Sequence, residues 1–574
     1  MTDTSTQETT VANRVISLFR DARQARRHRV EFWDRSYKMV HNRGWSPLRE
    51  SWMPSPQASE IYPICASMVG WMTDQRPALN VVASLDPHSP TAEFMQQLAR
   101  DLEKTLQASW IVNNTDAEVE KVVWDAMIYG TGFFKANWDQ SLSGGLGDAC
   151  LVRVDPYKLY PDPQATSFED ANYIIEASTM SLQEVERRYP GKSDLVRDSA
   201  GLVDSQLDER DDRLNGSKFP KANPGGVAGG PPVWGAPGDA KEHVIYDEGV
   251  TVYEAWIREN DSYEDDDGEL VVEDRWKVIV VAGNVVLLEA DVEQELFSHG
   301  KHPYVRFVLN DLGEFWGISL VEHLTPLQIS INRLLAAMQS HAELVGNPVL
   351  MEDTRSGIQR TQIVNKPGQR VTKNPGTEVD WLRPPEMSRD VMNLVAFYVG
   401  EMERVSGLSA IVRGATPTGR NSQGVMDAVQ ESAFVRVRLA LRNLERALRS
   451  AGELLASLIA ENYTAPRIVS IVGPEGQNSA MTLNSRHFYL RTPDGETPLK
   501  FSLWVQAGST LPISRQARAA EADTLFAMGA IDRMALLEAH DYPNRQQIIA
   551  RMAEMDAAGV SQAPGARQAA GRTT

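Results

Sequence analysis

The strongest constraint on this chain is the order of segments in its second half. Leu320, Leu324, Leu327, Ile331, Leu334, Leu335, Met338 and Leu344 recur at helical spacing. Pro326 falls inside that run, so it should start a new helix or kink this one. From Pro326 to Gly346 a helix spans about 30 Å at 1.5 Å per residue, and Asn347-Pro348 should end it. The period then changes. Val349–Met351, Gln362–Val364, Gln369–Thr372 and Val379–Leu382 are short strand candidates separated by Gly and Pro. Ser388 is placed to cap a helix carrying Val391, Leu394, Val395, Tyr398, Val399 and Met402, which should close near Gly407. Residues 408–422 hold three breakers and no helical period. A helix from about Gly424 to Asn462 follows, roughly 55–60 Å long if continuous. Two helices flanking a small β module put that module at the tip of a stalk, and the loop at 408–422 must return at the stalk's other end.

The first 316 residues read as a large mixed α/β region. Residues 11–45 look helical, with Val15, Leu18, Phe19 and Ala22 on one face. Arg20, Arg23, Arg26, Arg27 and Arg29 form either a solvated face or a contact with phosphate or an acidic neighbour. Residues 92–130 read as two helices that stop at Gly130 and Gly132. Strands are expected at Phe133–Trp138 and Cys150–Asp155 around the turn Gly144–Asp148, before Pro156, Pro161 and Pro163 force an extended passage. The Gly/Pro-rich stretch 214–240 reads as an exposed loop or a disordered insertion. Strands resume at Val250–Arg258, Trp276–Val281 and Val285–Glu289, with Gly283-Asn284 as a hairpin turn. Beyond the long helix, strands are expected at Arg467–Val472, His487–Leu490 and Phe501–Gln506. A helical region at Ser514–Met555 with breaks at Gly529 and Pro543 follows, then a frayed tail.

Composition excludes several classes. Seventy-seven acids against 58 bases give a net charge of −19, the wrong sign for a protein that grips nucleic acid by its phosphates. Two cysteines, Cys65 and Cys150, cannot build a disulfide framework or a Cys-rich zinc site. The polar N-terminus is not read as a secretory signal, and the best apolar stretch, Val278–Leu288, is too short to cross a membrane.

The search for catalytic, metal and cofactor chemistry ends empty. The segment Gly414–Asn421 is the nearest thing to a phosphate loop, but it offers Arg420 and Asn421 where Lys and Ser or Thr are needed, and it follows a helix instead of a strand. Asp265–Gly268 lacks the first carboxylate of a calcium loop. The ten histidines include no His-x-x-x-His pair, and His323 and His341 lie too far apart on one helix to share a metal.

Four segments, in this order, carry a resemblance. They are Ala126–Lys135 (AMIYGTGFFK), Val154–Pro163 (VDPYKLYPDP), Phe315–Gln328 (FWGISLVEHLTPLQ) with Asn332 and Arg333, and Ser406–Ser409 (SGLS). Together with the helix–module–helix layout, the chain resembles the portal proteins of tailed bacteriophages over most of its length.

The resemblance implies an α+β portal-type fold: a wing at 1–316, stem helices at 317–346 and 386–406, and a β-rich clip at 347–385. It further implies a tunnel loop at 407–422, the long helix and wing strands at 423–510, crown helices at 511–556 and a flexible tail at 557–574. It implies a dodecameric ring at one capsid vertex, in the virion after assembly in the host cytoplasm. Double-stranded DNA would pass through its channel during packaging and ejection. The terminase large subunit and a head–tail adaptor protein would dock on the clip, and the major capsid protein or scaffold would hold the rim. Arg413, Gly414, Gly419 and Arg420 would then line the channel, and Arg355, Arg360, Lys366, Arg370 and Lys373 would face the motor and adaptor. The alternative from another class is an NTP-dependent DNA-handling enzyme using the Gly414–Asn421 loop. The null for Arg436, Arg438, Arg442, Arg446 and Arg449 is pairing with Glu431, Glu445 and Glu453.

Overall fold

The computed structural model describes residues 2–42, 55–74, 79–83, 92–197, 249–264, 270–292, 296–297, 299–346, 349–358, 372–382, 386–408, 423–463, 467–472, 478–483, 489–492, 495–498, 501–505, 522–540, 548–549 and 551–552. The Gly/Pro-rich stretch 214–240, the loop at 409–422 and the tip segment 359–371 lie outside them.

Two antiparallel sheets organise the first half. Strands β2 (Thr131–Asp139), β3 (Asp148–Val154) and β9 (Tyr304–Val308) form a three-stranded sheet with β2 in the middle. Strands β4 (Leu159–Pro161), β5 (Tyr173–Ser181), β6 (Gly249–Glu264), β7 (Leu270–Ala282) and β8 (Val285–Asp291) form a five-stranded sheet in sequence order. The expected hairpin at Gly283-Asn284 joins β7 to β8, with Gly283 at φ +59°. The Pro156 passage is not fully extended. It makes a short 3-10 turn at Pro156–Lys158, capped by Asp155, before β4.

The five-stranded sheet is buried on both faces, so its strands read as nearly continuous apolar runs. Ile174, Trp256, Val278 and Val280 face the three-stranded sheet. Their alternates Tyr173, Ile175, Tyr253, Ile257, Ile279 and Val281 face α1 (Thr2–Val40), which lays Ala12, Val15, Phe19 and Ala22 across them. The arginines of α1 divide: Arg20 and Arg27 are exposed, as a solvated face requires, while Arg26 is buried and Arg29 meets an acidic neighbour. Arg26 is 3% exposed and donates to the carbonyls of Pro156, Tyr157 and Leu159 at 3.0, 3.0 and 2.6 Å. Arg29 pairs with Glu314 at 2.9 Å, and Arg14 with Glu259 at 3.2 Å.

The largest core joins α2 (Ile61–Thr73), α3 (Ala92–Val112) and α4 (Thr115–Tyr129) to the distal half of a 40-residue helix, α8 (Gln423–Asn462). Here β1 (Leu79–Ala83) pairs antiparallel with β16 (Phe501–Val505) across more than 400 residues of chain, stitching both ends into one body. Among the described residues three further pairs of strands run antiparallel. They are β10 (Val349–Glu352) with β11 (Val379–Leu382), β12 (Arg467–Val472) with β13 (Asn478–Leu483), and β14 (Tyr489–Thr492) with β15 (Gly495–Pro498). Near the C-terminus, Gly529 at φ +72° breaks the helical region at the expected position, ahead of α9 (Arg533–Ala539).

Candidate functional site

Helix α6 (Leu320–Gly346) runs through Pro326 instead of ending or restarting there. The missing N–H falls only six residues into the helix. Leu324, Thr325 and Gln328 are buried around it, so packing offsets one lost bond. Helix α7 (Arg389–Ser406) packs against α6. Ser388 caps it as its position suggests, its hydroxyl accepting from Asp390 N–H at 3.2 Å, and Gly407 closes it at φ +76°.

The pair β10–β11 joins the far ends of α6 and α7, with Val349 opposite Leu382 and Glu352 opposite Val379. Beyond it two turns are knitted together. Asn374 donates its N–H to Ser356 O at 3.0 Å and its amide to Arg355 O at 2.9 Å, while the Lys373 ammonium donates to Thr377 O at 3.0 Å. Of the five cations expected at the tip, Arg355 and Lys373 are thus brought into one exposed turn pair. Arg360, Lys366 and Arg370 lie outside the described residues, as do Arg413, Gly414, Gly419 and Arg420. Of the α8 arginines, Arg449 pairs with Glu453 at 3.2 Å and Arg446 donates to Asn443. The side chains of Arg436 and Glu431 lie outside the described set.

Helix α7 carries exposed apolar surface beside its buried stripe. Val395, Tyr398, Val399 and Met402 turn inward. At 100° per residue, Leu394, Phe397 and Val405 lie along one flank of that buried stripe, and Met392 lies on the other. Met392 is 59% exposed and Phe397 58%. Met351 on β10 and Leu344 and Val345 at the end of α6 are exposed as well.

The opposite end of the helix pair is where the shared segments meet. Gly130 and Gly317 sit back to back: a Cβ on Gly130 would stand 2.0 Å from Gly317 O, and one on Gly317 would stand 2.6 Å from Gly130 O. Gly317 N–H donates to Thr131 Oγ1 at 2.8 Å, and Ser319 Oγ to Met127 O at 2.8 Å, so the first and third segments form one joint at the root of α6. Trp316 packs its ring edge-on against Trp33 of α1, and Tyr157 from the second segment donates to Asp34 at 2.8 Å.

Two to three turns further along α6, Gln328 and Asn332 are each 2% exposed. They hold the irregular segment before α2. Asn332 Oδ1 accepts from Ala58 N–H at 3.0 Å, Gln328 Oε1 accepts from Glu60 N–H at 3.2 Å, and Gln328 donates to Ala58 O at 2.8 Å. Their clamping role was missed from sequence. Its only trace there is a polar pair at i, i+4 on an apolar helix face.

Above the root, the two sheets are locked by charge. Lys135 and Tyr304 are register partners on the three-stranded sheet, and Glu176 and Glu254 are register partners on the five-stranded one. The Lys135 ammonium donates to both carboxylates at 2.8 Å, and the Tyr304 hydroxyl donates to Glu176 at 2.8 Å. Like charges opposite each other in a sheet repel; one buried ammonium holds this pair together. Burial acts to raise Glu176, but the Lys135 charge and the hydrogen bonds from Lys135 and Tyr304 outweigh it and hold the carboxyl below its ordinary range. Nearby, Arg153 binds Asp125 through two parallel bonds, tying β3 to α4.

Among the described residues no group of three His, Cys, Asp or Glu side chains is placed to hold a metal, and no helix is long and apolar enough to cross a membrane. Cys65 and Cys150 are both unpaired and buried, and burial pushes their thiols up, to about 12 and about 11.

A mixed α/β body that roots a helix pair ending in a small β tip is the layout on which the comparison with known families falls. The family described as phage P22-like portal protein matches residues 18–572. The chain belongs to that family, and the match spans every element from the middle of α1 to beyond α9. No curated protein matches the chain.

Proposed function

We propose that this portal-family chain assembles into a closed dodecameric ring at one capsid vertex and acts as a conduit for double-stranded DNA. In this reading α6 and α7 are the stem, residues 347–385 the clip that receives the terminase motor and later the tail adaptor, and 407–422 the loop lining the channel. The body formed by both sheets and α8 is the wing held by the capsid, and the helices after residue 511 are the crown.

The observation that carries the ring is the exposed apolar surface of Leu394, Phe397 and Met392 on both flanks of α7's buried stripe. A closed head-to-tail ring needs two different surfaces on each subunit, one for each neighbour. Phe397 with Leu394 on one flank and Met392 on the other supply such a pair. The acidic balance of the chain supports a channel in which DNA slides, because a basic wall would hold it by counterion release.

Negative-stain microscopy of the purified chain tests the ring. Rings with a central hole are expected, and a species that stays monomeric at every concentration removes the reading. Substituting Arg413 and Arg420 together with Glu should leave rings intact and impair DNA packaging or retention. Normal packaging by that variant would remove the two arginines from the channel.

A further inference from the structure

A groove separates the wing sheets from α8, and nothing in the ring reading uses it. Its deeper lobe has a volume of about 330 Å3. An adjoining lobe shares Phe168, Glu169, His302, Tyr304 and Ser450 with it. Volumes near this size are at the lower end of small-ligand pockets.

The wing wall is a compact constellation. The Arg258 guanidinium lies 5.0 Å over the Trp276 ring and donates to Glu169 O at 2.6 Å, yet its Nε is buried with no hydrogen-bond partner. The His302 ring stands 5.0 Å from the same tryptophan and 5.1 Å from Phe168. His302 Nδ1 accepts from Tyr304 N–H at 3.3 Å, and His299 Nδ1 accepts from Lys301 N–H at 3.0 Å. Each ring therefore carries its proton on Nε2, and neither Nε2 has an acceptor among the described residues. A neutral imidazole in that tautomer is a hydrogen-bond donor and not a metal ligand, because its unprotonated nitrogen is already engaged.

The opposite wall is a single face of α8, where Arg446, Ser450 and Ser457 look across the groove. Among the described residues Arg446 makes only a 3.4 Å bond to Asn443, and Lys301 makes no ion pair. Three carboxylates also border the groove. Glu453 is held by Arg449, Asp311 lies 3.9 Å from Arg306, and Glu169 makes no salt bridge among the described residues. The unpaired charge is thus Arg258, Lys301 and Arg446 against Glu169 alone, with two spare imidazole donors beside them. Donors in excess of acceptors, walled by aromatic rings, fit an oxyanion.

We propose that this groove binds a phosphate or carboxylate group, held between Arg258, Lys301 and His302 on the wing side and Arg446 and Ser450 on the helix side. A bound anion would clip the wing to α8 whatever the oligomeric state, so the site stands or falls separately from the ring.

Equilibrium dialysis of the full chain with labelled inorganic phosphate tests it. Saturable binding near one phosphate per chain is expected, weakened at least about tenfold by Arg258→Gln. Competition by glutarate would assign the site to carboxylates as well, and its failure would restrict the site to phosphate. If Arg258→Gln disturbs folding, as circular dichroism would reveal, Ser450→Leu blocks the groove from the exposed helix wall and should abolish binding with Arg258 intact. Absence of saturable binding of either anion, or binding unchanged in the soundly folded variants, overturns the proposal.

Discussion

The joint between the sheets and the root of α6 and the helix pair itself solve opposite problems. Around Gly130, Gly317 and Lys135 nearly every polar group finds its partner inside the chain, and glycines let backbones touch where no side chain fits. Along α7 the reverse holds: one stripe is satisfied by its own chain while Met392 and Phe397 face outward. The first region is finished as a monomer. The second leaves apolar surface that the proposed ring would cover. Damage in the joint should therefore appear as lost stability, and damage along α7 as lost assembly.

The largest effect belongs to the sheet lock. Lys135→Met leaves two facing carboxylates buried without a counter-charge and should cost about 3–5 kcal/mol in urea unfolding. It should also reverse a pH trend. In the native chain Glu176 titrates below its ordinary 4.5, so its contribution is full above that pH and is lost as pH falls through the lower folded value. Without Lys135 the carboxylates prefer to be protonated when folded, and acidification toward 4.5 should stabilise the variant relative to neutral pH. An unchanged pH profile would show that the lock is not electrostatic.

Next in size is Gly130→Ala. Residue 130 sits at φ +86° against Gly317 O, so strain and overlap should together cost more than about 2 kcal/mol. A melting temperature within experimental error of the native chain would mean the root of α6 is not the tight joint described.

A smaller effect comes from the groove histidines. Burial pushes His299 and His302 from 6.5 down to about 4. The unfolded chain then binds more protons between those values, so stability falls as pH drops through that window. His302→Asn should flatten the fall in a pH series of urea midpoints. A slope identical to the native chain's would remove His302 from the account.

Smallest in stability is Phe397→Ser, an exposed change expected to stay within about 0.5 kcal/mol for the isolated subunit. Its effect on the ring should nonetheless be large, and that contrast is the sharpest form of the comparison. A variant that loses stability and keeps its rings would invert it.

Local signals made much of this architecture legible. Ser388 before an amphipathic run, Gly407 after it, and Gly283-Asn284 between apolar strands each state their geometry through side-chain chemistry or backbone freedom. What stayed illegible depends on distant partners. Nothing near Leu79 announces a strand, because its partner is Val505 and the pairing has no local turn. Arg26 looked like one of a run of surface cations. Its burial follows from three carbonyls about 130 residues away that become free only when the Pro156 turn forms. The shared segments were read as marks of a family, while their work as a glycine–glycine joint and a Gln328–Asn332 clamp emerges only once α4, β2 and α6 are brought together.

The most direct test is sedimentation velocity of the native chain beside the double variant Met392→Glu/Phe397→Glu, with near-ultraviolet circular dichroism on both. Two like charges on opposite flanks of α7 should stop assembly and leave the aromatic-rich sheets untouched. The account predicts a ring-sized species for the native chain, and a monomer with an unaltered near-ultraviolet spectrum for the variant. A double variant that still sediments as a ring would contradict it.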